Sequence, residues 1–253
     1  MGRKLALAQL DKQFEFNRTP RARKLSLTAK QKYPQTEKTG IFWFKQDLVP
    51  RTSGQGYYID VINESDITLC SGPAGCGKTW IVTRLALDAL AHNRVSRIVV
   101  TKPIIEAGSE KLGALPGEVE DKVLPHFISV LDCFEDHIGP AVLKQLLDSK
   151  KIIFLPIAYA RGRDLKYSFI IADEAQNFTK KGIKLLLTRI SDGSTMVLNG
   201  DIDQVDLPNE KDSGLRWAAD CLTGKNPRIG VVRLNNLDVQ RHPLTTTILD
   251  CLH

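Results

Sequence analysis

Eight consecutive residues constrain this chain more than any other stretch. Gly72-Pro73-Ala74-Gly75-Cys76-Gly77-Lys78-Thr79 fits the pattern GxxxxGK[ST] and follows the apolar run Ile67–Cys70. A helix candidate, Lys78 to about His92, comes directly after it. A strand, a glycine-rich turn and a helix in that order make a phosphate cradle. The glycines let the backbone turn its N–H groups inward, and the helix N-terminus adds positive potential. There Lys78 reaches the β- and γ-phosphates of a nucleoside triphosphate, and the Thr79 hydroxyl goes to Mg2+. Cys76 sits inside the turn at a helix N-terminus, a position that lowers a thiol pKa. A redox sensor is one reading of it; a small residue that fills the loop is the preferred one.

The patterning around this loop sets the fold class. Six short apolar runs, Ile67–Cys70, Arg97–Thr101, Lys151–Pro156, Ser168–Asp173, Thr195–Asn199 and Ile229–Leu234, read as continuous Val/Ile/Leu strings. Such strings mark strands buried on both faces of a parallel sheet. Helix candidates lie between them at Lys78–His92, Thr179–Ile190 and Ser213–Leu222, and Ile183, Leu186, Leu187 and Ile190 share one helical face. Strand–helix alternation predicts an α/β sandwich with right-handed crossovers. With 253 residues, 42% hydrophobic and 25% charged, the chain suits one large domain or one domain plus an appendage.

A phosphate loop requires a second strand that ends in an acid. Ser168-Phe-Ile-Ile-Ala-Asp173-Glu174-Ala-Gln176 supplies it. Asp173 holds Mg2+, and Glu174, one residue past the strand, orients or deprotonates an attacking water. A third strand ends in Asn199-Gly200-Asp201-Ile-Asp203-Gln204. Gln204 both donates and accepts hydrogen bonds, so it can read the γ-phosphate, and Asn199 is a second sensor candidate. The carboxylates Asp201, Asp203 and Asp206 also invite a metal-dependent nuclease, but that chemistry needs converging acidic ligands without a phosphate loop.

Charge is unevenly placed. Residues 1–52 hold 12 Lys and Arg against 4 Asp and Glu, leaving 23 basic and 25 acidic residues on the remainder. A basic arm on a near-neutral body suits contact with a polyanion, or is simply a solvated tail. Arg18–Thr39 shows no sustained period and reads as mobile. Ile41-Phe42-Trp43-Phe44 then docks on the body or starts an edge strand, with a stacking platform for bases as the alternative. The longest strongly apolar stretch, Ile152–Ala160, is far short of a membrane helix. The N-terminus has no apolar signal core, and the five cysteines form no CxxC pair, which together point to a reducing, cytoplasmic setting. His92, His126, His137, His242 and His253 have no metal-ligand spacing.

In chain order stand GPAGCGKTW, VVTKPIIEAGSEKLGALPGEVEDKVLP, ARGRDL, FIIADEAQN, LLLTRI, NGDIDQVDLP and DVQRHPL. This run resembles the PhoH-like (phosphate-starvation-inducible) ATPases from about residue 53 to 250. That family is similar to the first RecA-like domain of superfamily 1 helicases. The resemblance implies a RecA-like P-loop NTPase domain over 53–253 behind the 1–52 arm, ATP binding and hydrolysis, and RNA or single-stranded DNA as partner. It makes Gln55 the adenine reader, and no NKxD guanine motif is present. Departures from the family pattern fall at Lys102, Ala160 and Asn199; Lys102 keeps a charge but loses the guanidinium fork. They are expected to bear on the nucleic-acid contact and to leave the ATP site intact. Glu106–Gly117 is expected on the polymer or the subunit side of the site.

Superfamily 1 helicases complete their site with arginines from a second domain, for which 253 residues leave no room. A finger arginine is worth about 10³–10⁵ in rate. The expectation is therefore a head-to-tail ring, a hexamer, with Arg241 donated between subunits and Arg163 and Arg189 as further candidates. Two rival functions differ in class. One is a slow nucleotide-dependent switch that binds a partner without motor activity. The other is a small-molecule kinase, which needs a lid of clustered arginines beyond Arg161 and Arg163.

Overall fold

The computed structural model describes residues 42–103, 124–241 and Leu244. The expectations for Arg18–Thr39, Glu106–Gly117, Cys251, His242 and His253 lie outside these residues. In chain order the described elements are α1 (Ser53–Glu64), β1 (Ile67–Ser71), α2 (Lys78–Ala91), β2 (Arg97–Thr101), α3 (Ile128–Ile138), α4 (Pro140–Asp148) and β3 (Ile152–Phe154). Then come β4 (Ser168–Ala172), α5 (Lys180–Leu187), β5 (Thr195–Gly200), α6 (Gly214–Leu222) and β6 (Ile229–Arg233).

The six strands form one parallel sheet in the order β3-β2-β4-β5-β1-β6. Each apolar run of the sequence became a strand because its side chains serve two cores in alternation. In β4, Phe169 and Ile171 face one core, and Ile170 and Ala172 face the other. The first core is closed by α1, α2, α3 and α4, and the second by α5 and α6. Burial on both faces is what a Val/Ile/Leu string without alternation encodes.

Three helices had no sequence expectation. α1 starts at Thr52, whose Oγ1 accepts the Gln55 N–H at 3.1 Å, and it buries Gln55, Tyr58, Ile59 and Ile62 on one face. α3 and α4 meet at Gly139, which caps one helix and opens the other, with Pro140 at the first helical position. Residues 42–50 lie along α3: Lys45 N–H donates to His137 O at 2.8 Å, and Phe42 and Leu48 are buried. The docking expected of Ile41–Phe44 therefore holds for Phe42 and Phe44. The Arg84 guanidinium sits 3.3 Å over the Phe44 ring, while Trp43 is 55% exposed.

His137 joins α3 to the helix that carries the phosphate loop. Its Nε2 lies 2.9 Å from Trp80 O, its ring stands 4.4 Å from the Trp80 ring, and its Nδ1 is buried without a partner. Burial pushes its pKa down to about 4, so the folded state holds a neutral imidazole. An unfolded chain protonates it near pH 6.5. Between those values the unfolded state binds a proton that the folded state refuses, so stability falls as the pH drops. Urea unfolding at pH 7.5 and pH 5 should show a loss of about 2 kcal/mol from this group, and His137→Leu should lack that increment.

Candidate functional site

The C-terminal ends of β1, β4 and β5 converge on one edge of the sheet. Gly72 N–H donates to Gly200 O at 3.1 Å and Leu234 N–H to Ser71 O at 2.8 Å, which anchors the start of the loop to both neighbouring strands. Gly75 (φ 89°) and Gly77 (φ 75°) adopt the left-handed region that the turn requires. Gly77 caps α2 with no side-chain hydrogen bond, so no side chain of the cap covers the first N–H groups of the helix. Pro73 and Ala74 are half-buried and Gly75 is exposed at the crest. Lys78 Nζ donates to Gly72 O at 2.6 Å and to Pro73 O at 2.8 Å, which folds its ammonium back over the loop.

Across the cleft, Thr79 Oγ1 donates to Asp173 Oδ1 at 3.0 Å. The other oxygen, Oδ2, lies 3.4 Å from Lys102 Nζ. Burial pushes the Asp173 carboxyl above the ordinary carboxylate range, while Lys102 beside it works the other way. One hydroxyl and one carboxylate, both hard oxygens, fit Mg2+, which takes few protein ligands and completes its shell with phosphate and water. Among the described residues no group of three or more His, Cys, Asp or Glu gathers to cage a metal.

Glu174 is exposed and adopts φ 51°, ψ 40°, a left-handed conformation that costs a non-glycine residue on the order of 1–2 kcal/mol. Gln176 holds it. Gln176 Nε2 donates to Glu174 Oε2 at 2.8 Å and to Gln204 O at 3.1 Å, and its Oε1 accepts Asp201 N–H at 3.1 Å. Asn177 adds a two-way clamp on Asp206, donating from Nδ2 at 2.9 Å and accepting its N–H at 2.7 Å. Gln176 and Asn177, the second and third residues after the acid pair, thus tie the β4 end to the 200–206 loop. Sequence reasoning assigns Gln176 no role; its place two residues past Glu174, in DEAQN, is the signal that could have found it.

Gln55 is buried against the loop. Its Nε2 donates to Cys76 O at 3.1 Å, and its Oε1 accepts Arg51 N–H at 2.8 Å. Each end of that amide keeps one further hydrogen-bonding position. Arg241 lies on the loop of its own chain. Gln240 N–H donates to Gly75 O at 2.9 Å, and a Cβ at Gly75 would stand 2.6 Å from Arg241 Cγ and Nε.

The sequence matches the family described as PhoH-like protein over residues 47–253. The chain belongs to the PhoH-like family. A PhoH-like protein of Synechocystis is 43% identical over 200 residues, covering 79% of this chain and 60% of that one. Protein PhoH of Escherichia coli is 37% identical, covering 78% and 56%. The chain therefore spans about three-fifths of the length of these relatives. Among solved structures, a Sulfolobus solfataricus SWI2/SNF2 ATPase core in complex with dsDNA aligns at 14% identity with a TM-score of 0.44, over 80% of this chain and 47% of that one.

Within this PhoH-like chain the structure brings together Gly72 to Thr79, Asp173, Glu174, Gln55 and Arg241, with Gln204 at the rim. It corrects three expectations. Asn199 is no surface sensor: it is fully buried in β5 beside Cys70, and its Oδ1 accepts the Tyr58 hydroxyl at 2.5 Å. Cys76 is buried, and burial pushes its thiol up where the helix N-terminus was expected to lower it; the preferred reading of a small residue filling the loop stands. Lys102 stands on Asp173, so that departure from the family pattern falls inside the nucleotide site.

Gln176 makes a direct test possible. A hydrogen bond to a charged group is worth about 1.5–3 kcal/mol, or about 10- to 150-fold in rate. Gln176→Ala should lower any ATPase rate of the chain by about that factor and leave the Kd for ADP, measured by calorimetry, unchanged.

Proposed function

We propose that this chain hydrolyses ATP to ADP and phosphate in a Mg2+-dependent reaction coupled to binding RNA or single-stranded DNA. The observation that carries the reading is the 3.0 Å contact of Thr79 with Asp173, with Glu174 held beside it by Gln176. Lys78, the first N–H groups of α2, which no capping side chain covers, and Arg241 form the cationic side of the cleft, suited to a polyphosphate. Mg2+, held by Thr79 and Asp173, would neutralise charge on the β- and γ-phosphates. The Glu174 carboxylate takes or orients the proton of the attacking water. Gln204, whose carbonyl is fixed by Gln176, leaves its side chain exposed at the rim, where it reads the γ-phosphate. The free amide positions of Gln55 suit the N6 and N7 edge of adenine.

Arg241 supports a site completed within one chain. Its side chain rests on Gly75 of the loop, which supports reading it as the extra cation of its own chain's site. The hexameric ring expected from the sequence is the alternative, in which Arg241 serves a neighbouring subunit. Among the described residues no helix is long and apolar enough to cross a membrane. Cys70, Cys76, Cys133 and Cys221 are free thiols, which supports the cytoplasm as the working compartment.

Glu174→Gln should bind ATP as the parent does and hydrolyse it at least about 100-fold more slowly, the scale of general base catalysis. Lys78→Ala should lose much of both. Oligouridylate or oligothymidylate should raise the ATPase rate of the parent chain. A rate that neither polymer changes favours the slow switch instead.

A further inference from the structure

The segment from Ile157 to Leu165 runs beside α5 from end to end. At one end Ile157 Cδ1 approaches the Gly182 position, and at the other Leu165 N–H donates to Arg189 O at 3.0 Å. Between these anchors the segment is held by its own turns, with Tyr159 N–H on Pro156 O at 2.9 Å and Arg163 N–H on Ala160 O at 3.2 Å. Gly162 (φ 76°) makes the turn that leaves Arg161 and Arg163 both exposed, and Tyr159 is 51% exposed. From the neighbouring helix, Lys180, Lys181 and Lys184 are exposed.

Together the segment 157–165 and α5 carry five cations and one carboxylate, Asp164. Among the described residues, none of the five pairs with an acid. Their placement opposes helix stability. Lys180 and Lys181 occupy the first turn, where the helix dipole is positive and no acid offsets it. Lys180 and Lys184 are like charges four residues apart, which is also unfavourable. A polyanion laid along the stripe relieves both costs.

We propose that this stripe is where a single-stranded polynucleotide binds, with its phosphates on Arg161, Arg163, Lys180, Lys181 and Lys184 and an unpaired base on the Tyr159 ring. The proposal rests on the polynucleotide reading of the function and gives it a surface. Eight helical residues span about 12 Å, enough for about three or four phosphates of a stacked strand at ~3.4 Å per nucleotide. A duplex offers phosphates but no unstacked base, so Tyr159 commits the surface to single strands. α5 begins six residues after Glu174, and the intervening residues are fixed by Gln176 and Asn177 to the 200–206 loop. A strand held on α5 is thereby connected to the acid that handles water.

The test uses the full chain and fluorescein-labelled oligouridylate and oligothymidylate, with anisotropy read across a salt series. Lys180→Gln/Lys181→Gln/Lys184→Gln should bind more weakly, and its slope of log affinity against log salt should be shallower by about 2, from about 0.7 per phosphate contact. Tyr159→Ala should weaken binding about 5- to 150-fold, and Tyr159→Phe should restore it. The ADP affinity of every variant should match the parent, which verifies an intact fold. Variants that bind both oligomers with the parental affinity and salt slope would overturn the surface and leave the polynucleotide reading standing. A parent chain that binds neither oligomer overturns both. A duplex that binds as tightly as the single strands, with no effect of Tyr159→Ala, overturns the stacking contact.

Discussion

The hydroxyl of Thr79 meets the carboxylate of Asp173 across the width of β5, and the rest of the site is arranged around that meeting. The two residues lie 94 positions apart in the chain. Only a parallel sheet with β4 and β1 on either side of β5 brings the end of one strand and the loop after the other to the same edge. The phosphate loop turns there because Gly75 and Gly77 accept positive φ, and α2 leaves from it with no side-chain cap on its first N–H groups. Lys102 adds a third party. It gives the buried Asp173 a cationic neighbour, where an unpaired buried charge would be costly, and it shares the carboxylate that a divalent cation would take.

Beneath the loop a small polar network joins α1 to the sheet. Tyr58, one turn along α1 from Gln55, donates to Asn199 in β5; burial pushes its phenol well above the ordinary value, so it stays a donor. Gln55 itself bonds to Cys76 O in the loop. α1 is thus tied to both the phosphate loop and β5. Buried hydrogen bonds of this kind contribute only about 1 kcal/mol each, but leaving one partner unpaired costs more than that. They hold one arrangement of the site in preference to others.

The fold was legible in the sequence wherever burial was two-sided. All six apolar runs became strands, with no end shifted by more than two residues, because a string such as Phe169-Ile-Ile has no solvent face to encode. α5 followed from its apolar spacing, and α2 and α6 matched helix candidates placed between the strands. α1 escaped notice because Gly54 and Gly56 weaken its helical propensity and its stability comes from packing Tyr58, Ile59 and Ile62. That Gly72 to Thr79, Asp173 and Glu174 would converge was readable because the phosphate-loop pattern and the acid at the end of a second strand recur in fixed types and order. The partners Lys102, Gln176 and Tyr58 were not, since each acts through a contact across elements that spacing does not reveal. Asn199 misled for a related reason: it ends a strand as a sensor would, yet Tyr58 takes its carbonyl inside the core. Whether Arg241 serves its own loop or a neighbour's is a property of three-dimensional placement that spacing does not encode; within the chain its side chain rests on Gly75.

The claim of a site complete within one chain is tested most directly by mixing two inactive proteins. Arg241→Ala lacks the cation and Glu174→Gln lacks the acid. If Arg241 acts on its own chain, every site in the mixture misses one group, and the ATPase rate should equal the average of the two inactive proteins at all ratios. A mixture that regains activity, greatest near equal amounts, would mean that one chain lends its arginine to another, and a site complete within one chain would be ruled out.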